Sequence, residues 1–289
     1  MKRVLYLILT VALVLALLCG GVMAADNDVV YVSASGSSEN TGLTADAPVA
    51  TLAQAYEKVN ANGTIVVMGD ITQGSLTFPA KAVTITGKDG ETDYQGCIQT
   101  TAKDKTVWKL TAATKFEHLT FDNVNAGAGA EFLSGPSLHF GQGIIFQSQG
   151  VEIQPDLDAS GVPVNLDRNR FAVRLGGDST LASAAVIMES GTLSWISACN
   201  TGKQVGKATI RLSGGASVTD FISGGGTKNS KVDEVEITLT GATLPYLSAG
   251  GHGSAQTGSV TATLTNCTIG KLYDARPDKN TDFSTKLTG

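Results

Sequence analysis

Val186-Ile187-Met188…Leu193…Ile196, Ile210-Arg211-Leu212…Val218…Phe221, Ile237-Thr238-Leu239…Leu244…Leu247 and Ala262-Thr263-Leu264…Ile269…Leu272 are four versions of one line. Their central members, Leu193, Val218, Leu244 and Ile269, stand 25, 26 and 25 residues apart. A fixed period in this range, filled with β-branched and aliphatic residues, marks a stacked repeat architecture. Within each line the apolar residues sit two apart and then jump across a turn. That is the rhythm of a strand, a corner and a second strand, with no room for a helix. Leu193, Val218, Leu244 and Ile269 are expected to form one buried row through successive coils.

Working toward the N-terminus, the periodicity fades but strands persist. Gln149 to Arg170 reads as the longest loop projecting from the stack, between Leu138 and Leu175. Before it, Thr64 to Met68, Leu76 to Phe78, Ala82 to Thr86, Val107 to Leu110 and Phe116 to Phe121 read as strands punctuated by Gly and Asp. The exception is a helix after Thr51. Thr51 and Gln54 have capping-box spacing, Leu52, Ala55, Tyr56 and Val59 share one apolar face, and Gly63 stands where a C-terminal cap belongs. The first coil of a stack has an open apolar end, which such a helix can cover. The fold expected is all-β: a right-handed parallel β-helix with a short N-terminal capping helix. Residues 26–63 supply the initial strand, loop and helix, and 64–289 the solenoid, with clear coils over 186–275.

Residues 1–25 read as a secretory signal: Lys2 and Arg3, an apolar run from Val4 to Leu18, and small residues through Val22-Met23-Ala24. The run is short for a membrane span, which needs about 20 residues, so no transmembrane anchor is expected in the mature chain. The protein is expected to be secreted or at the cell surface. With 21 basic against 26 acidic side chains, a net charge of −5 and no basic run, nucleic acid is not an expected partner. Beyond the leader, Cys97, Cys199 and Cys267 remain. Cys199 and Cys267 fall three coils apart, roughly 14 Å, too far for a disulfide, so free thiols are expected there.

Tyr31-Val32-Ser33…Gly36…Asn40-Thr41-Gly42…Ala47-Pro48…Thr51-Leu52…Ala55, followed by Gly63-Thr64-Ile65, resembles the opening segment of secreted bacterial right-handed β-helix proteins of the pectate-lyase-like superfamily. Thr114 to Asp122 resembles a coil common in such solenoids. The resemblance implies fold, export and a bacterial surface or extracellular role. It does not imply catalysis, because the superfamily holds lyases, hydrolases and epimerases beside non-enzymatic surface solenoids.

Candidate chemistry divides three ways. Gly251-His252-Gly253 resembles a polygalacturonase scrap, but the paired aspartates of those hydrolases are absent, and His252 reads as a turn residue. A uronate polysaccharide lyase needs a base and usually calcium ligands. Arg168, Arg170 and Arg174 are the candidate bases, and Asp156, Asp158 and Asp167 the candidate calcium ligands. Calcium enters only under that alternative, and otherwise no cofactor is expected. Finally, the repeats align Trp195, Asp220, Tyr246 and Lys271 at one position just before the last core residue. Facing outward, Trp195 and Tyr246 stand two coils apart, about 9.6 Å, as platforms for sugar rings. The leading expectation is a non-catalytic, adhesin-like module that binds polysaccharide, a cell-surface glycan or another surface partner. After Tyr273 the tail is short and polar. Either it folds over the last coil, or a partner or further sequence covers it.

Overall fold

The computed structural model describes residues 28–100, 106–124, 130–148, 171–226, 229–248, 250–251, 255–273 and 284–288. Residues 1–25, read from the sequence as a secretory signal, and residues 149–170, read as a projecting loop, therefore lie outside the described residues. The chain opens on β1 (Val29–Ser33) and α1 (Leu52–Lys58). The first turn of the solenoid is β2 (Thr64–Met68), β3 (Asp70–Thr72) and β4 (Leu76–Thr77). The second is β5 (Val83–Thr86), a small hairpin of β6 (Lys88–Asp89) and β7 (Thr92–Asp93), then β8 (Cys97–Thr100) and β9 (Thr106–Leu110). The third is β10 (Thr114–Glu117), β11 (Thr120–Asn123) and β12 (Ala130–Ser134). The fourth is β13 (Ser137–Phe140), β14 (Ile145–Gln147) and β15 (Ala172–Leu175).

From there each coil has two strands. They are β16 (Leu181–Met188) with β17 (Thr192–Ser197), β18 (Gln204–Leu212) with β19 (Ser217–Ser223), β20 (Lys231–Thr240) with β21 (Thr243–Ser248), and β22 (Gln256–Thr265) with β23 (Thr268–Tyr273). The last strand is β24 (Ser284–Thr288).

Successive coils pair in parallel, which builds a ten-stranded sheet from β1 to β24, an eight-stranded sheet from β4 to β23 and a four-stranded sheet of β3, β8, β11 and β14. This is the expected parallel β-helix. The four-stranded sheet stops at β14, so three-sided coils give way to two-sided ones. Phe116 to Phe121 is not one strand but two. The chain turns between the ten- and four-stranded sheets at His118, whose φ is 49°.

The cap works as its residues predict. Thr51 Oγ1 accepts from Gln54 N and Gln54 Oε1 accepts from Thr51 N, both at 3.2 Å. Leu52, Ala55, Tyr56 and Val59 are buried, each large one contributing about 1.5–3 kcal/mol. Gly63 is not the helix C-cap. The helix ends at Lys58 with extended Val59 as cap, and Lys81 Nζ donates to the Tyr56 and Val59 carbonyls at 2.7 Å. Gly63 is small because a Cβ there would lie 2.7 Å from Val59 Cγ2 and 2.8 Å from the Asp28 carbonyl. The loop after β1 folds back along that strand's free edge. Tyr31 N donates to Gly42 O and Ser33 N to Val49 O, while Val49 N donates to Tyr31 O.

Core composition changes along the axis. The three-sided coils pack Trp108, Phe116, Phe121, Phe132, Phe140, Phe146 and Phe171 into one ring cluster, many pairs meeting edge to face. The two-sided coils are aliphatic, as in the row Val186, Ile210, Ile237 and Ala262, paired in register and fully buried. In the row read from the sequence, Leu193, Val218 and Leu244 are buried and Ile269 is half-buried against the core. The three thiols of the described chain are free, Cys97 and Cys199 buried and Cys267 half-buried.

Candidate functional site

The outward face of the eight-stranded sheet carries the residues that could bind a ligand. On β17, Leu193 and Ile196 point into the core, leaving Trp195 on the surface, half-buried. On β21, Leu244 and Leu247 play the same inward part and Tyr246 is 38% exposed. Tyr246 pairs in register with Lys271 of β23. Trp195, Tyr246 and Lys271 therefore share one outward row.

Asp220 does not belong to it. Trp195 pairs with Phe221 and Phe221 with Tyr246, while the pairing register shifts between Leu193 and Trp195. β19 holds one extra residue between Val218 and its next core position, a β-bulge, and that displaces Asp220 from the row. The core residue is Ile222, fully buried, and Phe221 is half-buried on the surface. A signal for this lay in the spacing. Ile196, Ile222, Leu247 and Leu272 are all aliphatic and lie 26, 25 and 25 residues apart, so the extra residue falls before Ile222.

The corrected row is continuous. The Trp195 and Phe221 rings are stacked, with centroids 5.7 Å apart and planes 5° from parallel. Below Trp195, the Arg174 guanidinium of β15 lies 4.6 Å from the ring centroid. Beyond Tyr246, Lys271 Nζ lies 5.7 Å from that ring. Three aromatic side chains on consecutive coils thus run between two cations, each an attractive partner for the negative face of a ring.

Arg174 has a second partner, Glu131 of β12, a carboxylate whose side chain is only 5% exposed. Neither sequence pattern nor spacing singled out Glu131, which lies in the irregular part of the chain. Burial pushes the Arg174 guanidinium below its ordinary range. Beside this pair, Lys109 Nζ and Asp178 Oδ2 are 2.5 Å apart on the surface. So the two described members of the charged 156–178 stretch are held in ion pairs. Arg168, Arg170, Asp156, Asp158 and Asp167 lie outside the described residues, as does His252. Among the described residues no three His, Cys, Asp or Glu side chains gather closely enough to hold a metal ion.

The ten-stranded sheet presents a different surface. Lys207 reaches Glu234 at 2.7 Å and Glu236 at 3.3 Å, and Arg211 reaches Glu236 at 2.8 Å. Such exposed pairs are solvated surface chemistry and carry little energy. Thr238 pairs with Thr263 in register, but Arg211 and Glu236 interrupt any regular threonine array. Compared with known proteins, the chain matches no protein-family model, no curated protein and no solved structure.

Proposed function

We propose that this protein is an exported, non-catalytic β-helix module of the pectate-lyase-like kind, bacterial in origin, that binds a glycan at the cell surface. The observation that carries the reading is the row Trp195, Phe221, Tyr246, Lys271, one residue per coil, with the Arg174 guanidinium reaching over Trp195 from β15. Aromatic surface with a few polar groups to fix orientation is how sugar chains are held. Tyr246, the most open ring, and the Lys271 ammonium are the expected first contacts. A chain lying along the strip meets a ring about every 4.8 Å. Export rests on the apolar leader, and the bacterial surface role on the Tyr31–Ala55 resemblance. Arg174, engaged by both Glu131 and Trp195, serves as a structural cation in this reading rather than as a proton-abstracting base.

The test is a panel of neutral and acidic polysaccharides presented to the parent and to Tyr246→Ala and Trp195→Ala, with binding and turnover read separately. Binding that drops at least tenfold in the variants, without product, supports the module. Unsaturated uronate products appearing with calcium, and vanishing without it, would replace this reading with the lyase.

A further inference from the structure

The outward row that carries Trp195, Phe221 and Tyr246 does not begin at Trp195. Register runs it back through Ala172 of β15 and Glu131 of β12 to Val107 of β9. Glu131 and Trp195 therefore stand in one line, two coils or about 9.6 Å apart, with Ala172 between them. Ala172 is 2% exposed, yet the core residues of β15 are Val173 and Leu175. Arg174, two residues beyond Ala172 on the same strand, projects from the same face. Its Nε donates to Glu131 Oε1, and its guanidinium lies 4.6 Å from the Trp195 ring centroid. The guanidinium thus bridges the gap that a small side chain at 172 leaves between the carboxylate and the ring.

Stability does not account for this pair. The Glu131 side chain is 5% exposed and that of Arg174 21%. Taking two charges out of water offsets much of their attraction, so a buried pair is weak evidence for stability. What it fixes is an orientation. A carboxylate on Nε sets the plane of a guanidinium, a flat fork that an ammonium lacks. That cation is then attracted to the adjacent ring.

We infer that Glu131 is a positioning residue of the aromatic row: acting through Arg174, it fixes the Trp195 ring for ligand binding. For the ligand this rests on the glycan reading, and for the ring on the geometry alone. Trp195 is held by Arg174 on one side and by the stacked Phe221 ring on the other. A side chain fixed before the ligand arrives loses less freedom when it binds.

Acrylamide quenching and near-ultraviolet circular dichroism read Trp195, each protein being compared with its own Trp195→Phe version so that buried Trp108 cancels. Glu131→Gln removes the charge at nearly constant shape. Glu131→Gln/Arg174→Gln keeps a polar pair without a buried charge, and covers the case in which the single variant fails to fold. Lys109→Gln, which breaks the exposed pair with Asp178, is the control. Quenching of Trp195 is expected to rise roughly twofold in both Glu131 variants, with a weaker aromatic band, and to match the parent in the control. Quenching that stays at the parent value in the folded double variant, or rises equally in the control, would overturn the inference. Polygalacturonate and a neutral β-glucan, titrated into the same proteins, test the ligand separately. Binding of either that weakens several-fold in Glu131→Gln supports the positioning role, and binding equal to the parent's overturns it. A parent that binds neither removes the glycan reading, while quenching still decides whether Glu131 positions the ring.

Discussion

Trp195 and Phe221 stand on adjacent coils with ring planes 5° apart and centroids at 5.7 Å, although 26 residues separate them rather than the 25 of the neighbouring step. The bulge in β19 absorbs the extra residue and restores register by Phe221, so the surface row resumes where the core row does. The bulge decides which side chain joins the strip, and it selects an aromatic over a carboxylate.

Two deletions test this. Removing Asp220 makes the repeat 25 residues throughout and leaves Phe221 in the row. The protein is expected to fold with tryptophan fluorescence close to that of the parent. Removing Phe221 also gives 25 residues but installs Asp220 beside Trp195. That loses a half-buried ring and its stacking, worth about 0.5–1.5 kcal/mol beyond buried area. A lower melting point and altered Trp195 emission are expected. Equal behaviour of the two deletions would contradict the register.

Where sequence reading succeeded and where it slipped have one physical origin. A buried aliphatic row repeats in the sequence because each coil must fill the same interior slot, as Leu193, Val218 and Leu244 do. An outward row has no such constraint, so Trp195, Phe221, Tyr246 and Lys271 share no residue type by which to align them. Aligned by sequence alone, apolar Phe221 matches the core position and leaves Asp220 in the outward row, whereas the buried residue is Ile222. Glu131 was invisible for a similar reason. Its partner Arg174 is 43 positions away, across coils whose loops differ in length. The helix was legible because its signals, Thr51 with Gln54 and the apolar face, are local.

The stacked interior makes a sharp contrast in stability. Leu244 is 2% exposed and pairs with Ile269 in the next coil. Leu244→Asp buries an unpaired carboxylate in a stack whose stability comes from nearest-neighbour interfaces, and should cost several kcal/mol. Thr238 faces outward between Arg211 and Thr263. Thr238→Asp, beside a guanidinium, should change stability by about 0.5 kcal/mol or less. Thermal melts of the two variants check this, and comparable damage from both would show the faces to be exchanged.

Thiol chemistry reports on the same interior. Burial pushes the Cys97 thiol up to about 12, helped by Asp70 and Asp122, and burial pushes Cys199 up to about 11. The reactive thiolate is then scarce at pH 8. Iodoacetamide should leave both residues unmodified in the folded protein and label them promptly in denaturant. Rapid labelling of either in the native state would show that its coil opens.

The ion pairs of the ten-stranded sheet predict an acid limb. The hydrogen bond from Arg211, above all, holds the Glu236 carboxyl below its ordinary range. A depressed carboxylate contributes stability above its unfolded value and loses it as pH falls through the folded one. Lys207, raised by its bonds to Glu234 and Glu236, contributes below the ordinary lysine range and loses that support as pH rises through its folded value. Glu236→Gln should therefore melt below the parent at neutral pH and converge with it in acid. A gap that stays constant from pH 7 to pH 3 would remove the pairs from the account.

The C-terminal strand offers the test with the largest expected effect. β24 covers the outer edge of β22, Ser259 to Thr263 pairing with Ser284 to Thr288. Beneath it, Gln256–Thr265 is a ten-residue strand with no charge and no proline, rich in threonine. Once uncovered, such an edge has the composition that recruits further strands. Deleting Asp278 to Gly289 removes that cover. The truncated protein is expected to associate at concentrations where the parent is monomeric. Adding Thr261→Lys to the truncated chain puts a cation on the new edge and should restore the monomer. Light scattering decides between two causes. Rescue by Thr261→Lys means that an unguarded strand edge drives association. Association that persists despite it means that exposed core does.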